Sequence, residues 1–134
     1  MLREFEIRQI AQWVDEWVQE PHVWDTDILT LGDFNADRAT NPAYDPLTQL
    51  LNVPTEMELF PRTVYNEGKD KHYDMITWPV GAGGGVDGPS AGMVYTHTAG
   101  YFDFQPHVLR NMSNTSLSWR VSDHYPLWVV FDCV

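Results

Sequence analysis

Five residues in three short segments are of the types that phosphate and proton-transfer chemistry uses: Asp33 and Asn35 in Gly-Asp-Phe-Asn, Asp74 in Tyr-Asp-Met-Ile, and Asp123 with His124 in Ser-Asp-His-Tyr-Pro. Each set of polar groups stands at the start or end of an apolar run of strand type. Strand ends are where open α/β sheets display functional groups. Carboxylate and amide oxygens suit a hard cation such as Mg²⁺, and an imidazole is the side chain that ordinarily titrates near neutrality. The inventory therefore fits metal binding and acid–base work. Taken singly, Asp33 and Asn35 read equally well as turn residues, and Asp123–His124 as a surface dipeptide. The joint occurrence of the three segments favours a site.

The elements that must position these groups follow from periodicity. From Leu2 to Val18 the apolar residues Leu2, Phe5, Ile10, Trp13, Val14, Trp17 and Val18 recur every three or four positions, so an amphipathic helix is expected, ended by Pro21, with Trp13 and Trp17 packed in the core. Residues 27–31 read as a buried strand running into the Gly-Asp-Phe-Asn turn. Asp45 followed by Pro46 reads as a cap and first turn of a short helix. Residues 62–66 and 73–79 read as strands paired across a charged turn. The glycine-rich run 80–92 is a loop, either a mobile lid or a plain connection, and it lacks the Lys-Ser/Thr ending of a phosphate-binding loop. Residues 93–98 read as a strand and 102–118 as a long surface connection. The closing run 126–133 is apolar on both faces, which predicts a strand inside a layered fold. There is no internal repeat, and 1–134 reads as one domain.

Composition narrows the function. Nineteen acidic residues against 8 basic ones give a formal charge of −11. A protein that holds nucleic acid by counterion release clusters Lys and Arg, whereas here only Lys69 and Lys71 come close. A phosphate-bearing substrate would therefore be met through a divalent cation rather than through basic side chains. Cys133 is the single cysteine, so neither an intrachain disulfide nor a thiolate metal cluster can form. No apolar run is long enough for a membrane span, and the first ten residues alternate charged and apolar types, unlike a signal peptide. His22, His72, His97 and His107 belong to none of the three segments and read as structural or exposed, and Asp103 is left outside the site. The sequons at Asn111 and Asn114 would matter only in a secretory compartment.

Four runs in order, Gly-Asp-Phe-Asn-Ala-Asp at 32–37, Tyr-Asp-Met-Ile at 73–76, Phe-Asp-Phe-Gln at 102–105 and Ser-Asp-His-Tyr-Pro at 122–126, resemble the C-terminal half of the endonuclease/exonuclease/phosphatase superfamily, in its deoxyribonuclease I-like branch. The resemblance covers essentially the whole chain. It implies an α/β fold, the C-terminal half of a four-layer αββα sandwich with a mixed sheet and flanking helices. It implies metal-dependent hydrolysis of a phosphodiester, DNA foremost, with a phosphatase or phospholipase of the same superfamily as the alternative.

Under that resemblance Asp33 would orient or deprotonate the attacking water, and Asn35 would hold a phosphate oxygen. Asp123 would position the metal, and His124 would act on the scissile phosphate. Asp74 would accept a hydrogen bond from the His124 ring and fix its tautomer. The metal ligands would be Asp33, Asn35 and Asp123, holding Mg²⁺, with Mn²⁺ or Ca²⁺ as substitutes. The superfamily's N-terminal half, with a strand-borne catalytic histidine, a metal-binding glutamate and an asparagine, has no counterpart in this chain. The expectation is thus weak activity in isolation, with self-association or pairing with such a half, or else a non-catalytic interaction module. The resemblance leans towards an extracellular location, and the lack of disulfide-forming cysteines opposes it.

Overall fold

The computed structural model describes residues 2–22, 24, 27–36, 41–65, 72–80, 88 and 92–133. The loop expected over 80–92 and the turn expected over 67–72 lie mostly outside the described residues. In chain order the elements are α1 (Leu2–Gln19), β1 (Thr30–Ala36), α2 (Asp45–Leu50), β2 (Leu51–Asn52), a 3-10 turn (Thr55–Leu59), β3 (His72–Pro79), β4 (Met93–Tyr101), α3 (Asn114–Arg120) and β5 (Leu127–Cys133). The fold is mixed α/β. The strands form two small antiparallel sheets, one in the order β1-β3-β2 and one of β4 with β5. The mixed sheet expected from the resemblance is therefore replaced, among the described residues, by purely antiparallel pairing. Among the described residues no helical crossover joins two pairing strands in the parallel sense.

The helix expected at the N-terminus forms, but it buries a different stripe. Ile7, Ala11, Val14 and Val18 point inward at alternating spacings of four and three residues. The first three of them meet Ala36, Tyr44, Leu47, Leu51 and Met75 in the main core. Burying each large side chain of this kind stabilises the fold by about 1.5–3 kcal/mol. Trp13 and Trp17, expected in that core, are 58% and 44% exposed and pack on each other with ring centroids 4.8 Å apart. The apolar arc of α1 is wider than the surface that the first sheet and α2 cover, and the Trp pair falls on the uncovered part.

β1 begins at Thr30 and carries the whole Gly-Asp-Phe-Asn run, so these residues lie in the strand rather than in a turn after it. An edge strand tolerates so many polar groups because one side remains in solvent. The ladder with β3 shifts between Asp33 and Ala36, where Asn35 adopts a φ of 55°, a left-handed conformation that asparagine accepts more readily than most residues. Asp45 lies in the first turn of α2 instead of capping it; the cap position is Tyr44, and Pro46 is buried beside it. Of the strand expected over 62–66, the described residues 62–65 do not pair with β3. Thr63 instead forms an isolated bridge with His124.

The connection 102–118 contains a helix that periodicity did not mark. α3 buries only Leu117, leaves its other apolar residue, Trp119, exposed, and is started by Ser113, whose side chain accepts from the Ser116 N–H at 3.3 Å. β5 was expected to be buried on both faces. Trp128 and Val130 are 43% and 40% exposed while the alternate residues are half-buried, so one face of the strand meets solvent. The two sheets communicate through aromatic contacts: the Trp78 ring of β3 lies 5.3 Å from Phe131 of β5 and 5.1 Å from Tyr95 of β4. Among the described residues no helix is long and apolar enough to cross a membrane.

Candidate active site

Strand periodicity and register place the first two carboxylates. Met75 packs against α1, so Asp74 and Ile76, its neighbours in sequence, face the other way. Asp33 pairs with Asp74 and Leu31 with Ile76 across the β1–β3 ladder, and directly opposed residues share a face. Asp33 and Asp74 therefore emerge side by side on the same face of the sheet.

The histidine reaches that face from the segment before β5. His124 Nδ1 lies 2.5 Å from Asp74 Oδ2, in direct hydrogen-bonding contact, and a carboxylate acceptor strengthens such a bond. The segment is fixed on both sides: the His124 N–H donates to Ser122 Oγ at 3.0 Å, Val64 N–H donates to the Asp123 carbonyl at 2.9 Å, and Tyr125 N–H donates to the Arg62 carbonyl at 2.8 Å. The Tyr73 ring stacks on the imidazole with centroids 6.2 Å apart. With Nδ1 engaged by Asp74, the Nε2 atom is the one left for chemistry, and it stands 4.0 Å from Asp123 Oδ2. The side groups thus form a row, Asp33, Asp74, His124, Asp123.

Asn35 belongs to the Asp33 end of this row. Its N–H donates to Asp33 Oδ1 at 2.8 Å, its side-chain amide stands 3.5 Å from Asp33 Oδ2, and its carbonyl accepts from Arg3 at 2.7 Å. Asp33 and Asn35 line a cleft of about 450 Å³ beside α1, shared with Arg3 and Ile10. Asp74 and His124 line a second cleft of about 320 Å³ with Ile76, Ser122 and Pro126. Leu31 and Gly32 form the wall common to both. The five residues marked in the sequence are thus brought to one region, but four of them open into two adjoining clefts and Asp123 stands beside His124 outside both linings.

Asp74 is pulled in opposite directions by its surroundings. Burial pushes its carboxyl above the ordinary carboxylate range, the hydrogen bond and charge of His124 oppose that rise, and nearby Asp33 adds to it. Among the described residues no three His, Cys, Asp or Glu side chains stand together as a metal-holding group. Asp33, Asn35 and Asp123 supply oxygen donors of the right chemistry for a hard cation, but divided between the two ends of the row. A cation there would need further oxygen ligands.

Three residues of the site were not marked in the sequence. Ser122 has a signal, a hydroxyl two residues before the amide it accepts from. Tyr73 and Arg62 have none, since an aromatic in a strand and an arginine in a connection are ordinary. Away from the site, Tyr95 donates to Glu56 Oε2 at 3.0 Å, and His97, held at a φ of 56° in a bulge of β4, lies 3.5 Å from Glu56 Oε1. Comparison with protein-family models, with curated proteins and with solved structures finds no match.

Proposed function

We propose that the chain carries the histidine–aspartate part of a divalent-metal-dependent phosphodiester-hydrolysing site, with DNA as the first substrate to consider. The observation that carries this reading is the Asp74–His124 pair at 2.5 Å, with Asp33 directly across the ladder and Asp123 beside the free ring nitrogen. Asp74 holds the imidazole with Nδ1 as donor, so Nε2 presents a lone pair that accepts a proton from water or, once protonated, donates one to a leaving oxygen. Asp33, oriented by the Asn35 N–H, offers a carboxylate oxygen to position the attacking water. A bound Mg²⁺ or similar cation would supply neutralisation of phosphate charge, with Asp33, Asn35 and Asp123 as its protein oxygens. Since these donors form no closed ligand set by themselves, the isolated chain is expected to bind metal weakly and turn over slowly.

A second reading, a phosphatase or phospholipase acting on a small or lipid phosphate, is favoured by the charge of −11, which repels a polyanion. Supercoiled-plasmid nicking in Mg²⁺, compared with release of inorganic phosphate from monoesters and phosphocholine from a lipid, separates them. Nicking that disappears in His124→Ala supports the nuclease reading. Activity on none of these substrates, in the chain supplemented with any partner it needs, sinks hydrolysis altogether.

A further inference from the structure

Arg62 is 1% exposed, and among the described residues its guanidinium bonds go to main-chain carbonyls rather than to a carboxylate. The group donates through Nε to the main-chain carbonyl of Asp74 at 2.9 Å, and through Nη1 to the carbonyls of Met57 at 2.6 Å and Phe60 at 2.7 Å. A guanidinium withdrawn from water carries a large desolvation cost, which main-chain carbonyls offset only when the geometry is well matched. Burial accordingly lowers its proton affinity, countered by Tyr44 and Asp74. An arginine in such a place calls for a task that a leucine or methionine would not perform.

Its main chain shows the task. The Arg62 carbonyl accepts the Tyr125 N–H at 2.8 Å, Thr63 bridges to His124, and the Val64 N–H donates to the Asp123 carbonyl at 2.9 Å. Residues 62–64 thus run alongside 123–125, the segment that bears the histidine, while the side chain of Arg62 grips the strand that bears the aspartate. One residue holds both halves of the pair.

We propose that Arg62 is a positioning residue that sets the spacing of Asp74 and His124, its guanidinium fixing the backbone of β3 and its carbonyl fixing the segment before β5. The inference rests on Asp74 and His124 working as a pair. The planar guanidinium reaches three carbonyls at once, whereas lysine concentrates its charge at one point and glutamine has a shorter reach. Either replacement leaves buried carbonyls without donors, so the grip on Asp74 loosens.

The test is made on this chain, with its histidines labelled with ¹⁵N, at one fixed alkaline pH where the rings are neutral. Long-range ¹H–¹⁵N spectra read which ring nitrogen of His124 carries the proton. The wild type is expected to show one dominant form, protonated on Nδ1. In Arg62→Lys and Arg62→Gln the ratio of that form to the other is expected to fall several-fold, with far-ultraviolet circular dichroism retained. A folded variant with the wild-type ratio overturns the inference and leaves the pair intact. A wild type with evenly mixed forms overturns the pair itself, and this inference with it. If both variants fail to fold, His124→Ala serves instead: the Arg62 Nε–H signal should shift and exchange with solvent several-fold faster, and an unchanged signal overturns the link.

Discussion

Asp74 sits under opposed influences, and the balance says what it is for. Burial and Asp33 raise its carboxyl above the ordinary value of 3.8, while His124 pulls it down, and the net direction is upward. A raised folded-state value means that the folded chain holds the proton more tightly than the unfolded one. The group then favours folding below pH 3.8 and loses that contribution as pH rises through the folded value. At neutral pH its ionised form is a burden on stability, which is common at functional sites. Asp74→Asn is therefore expected to melt no lower than the wild type at pH 7, with any gain vanishing in acid; a clear loss of melting temperature at pH 7 would show that the carboxylate is structural. In an active assembly the same substitution should lower turnover by leaving the wrong histidine tautomer. His124→Ala should lower it further, on the order of a hundredfold or more, as expected for removal of an acid–base group. Unchanged turnover in His124→Ala would remove the ring from the mechanism. These residues were legible because a carboxylate or imidazole at the end of an apolar strand is conspicuous in a sequence. Arg62 was not, because a guanidinium satisfied by main-chain carbonyls leaves no partner residue to find.

At the scale of elements, period decided what could be read. α1 announces itself through a repeat of about 3.6 residues, and β3, β4 and β5 through short runs of strand-type residues. α3 does not, since one buried leucine makes no pattern, and its only signal is the Ser113 cap. Period also identifies a helix without saying which side of a wide apolar arc is covered. On α1 the two sides meet at adjacent residues: Val14 is 2% exposed and Trp13 is 58% exposed. Val14→Ala should cost about 2 kcal/mol through lost burial and an unfilled cavity. Trp13→Gln should cost no more than about 1 kcal/mol, mostly the contact with Trp17. Denaturant unfolding of the two variants measures both. Equal costs would mean that the tryptophan stripe is covered after all. β5 repeats the point, for its two faces are equally apolar in sequence and only one is sheltered.

For the whole molecule, two surface properties pull in opposite directions. Ile10, Trp13 and Trp17 on α1, Leu31 on β1, and Trp128 and Val130 on β5 are all exposed, Leu31 to 69%. Apolar surface on this scale favours association, since chains that remain monomeric seldom leave large apolar patches uncovered. Against it stands the formal charge of −11, which makes any two copies repel. The two terms respond differently to salt. Between 10 mM and 1 M the Debye length contracts from about 30 Å to about 3 Å, which removes the repulsion and leaves the apolar attraction in place. The chain is therefore expected to sediment near its monomer mass of 15.5 kDa at low salt and as a larger species at high salt. The double substitution Trp13→Glu and Trp17→Glu should hold it closer to the monomer in both conditions. A mass that falls with added salt would mean that ion pairs hold the copies together. A mass unchanged from 10 mM to 1 M would mean that these apolar faces do not associate with one another.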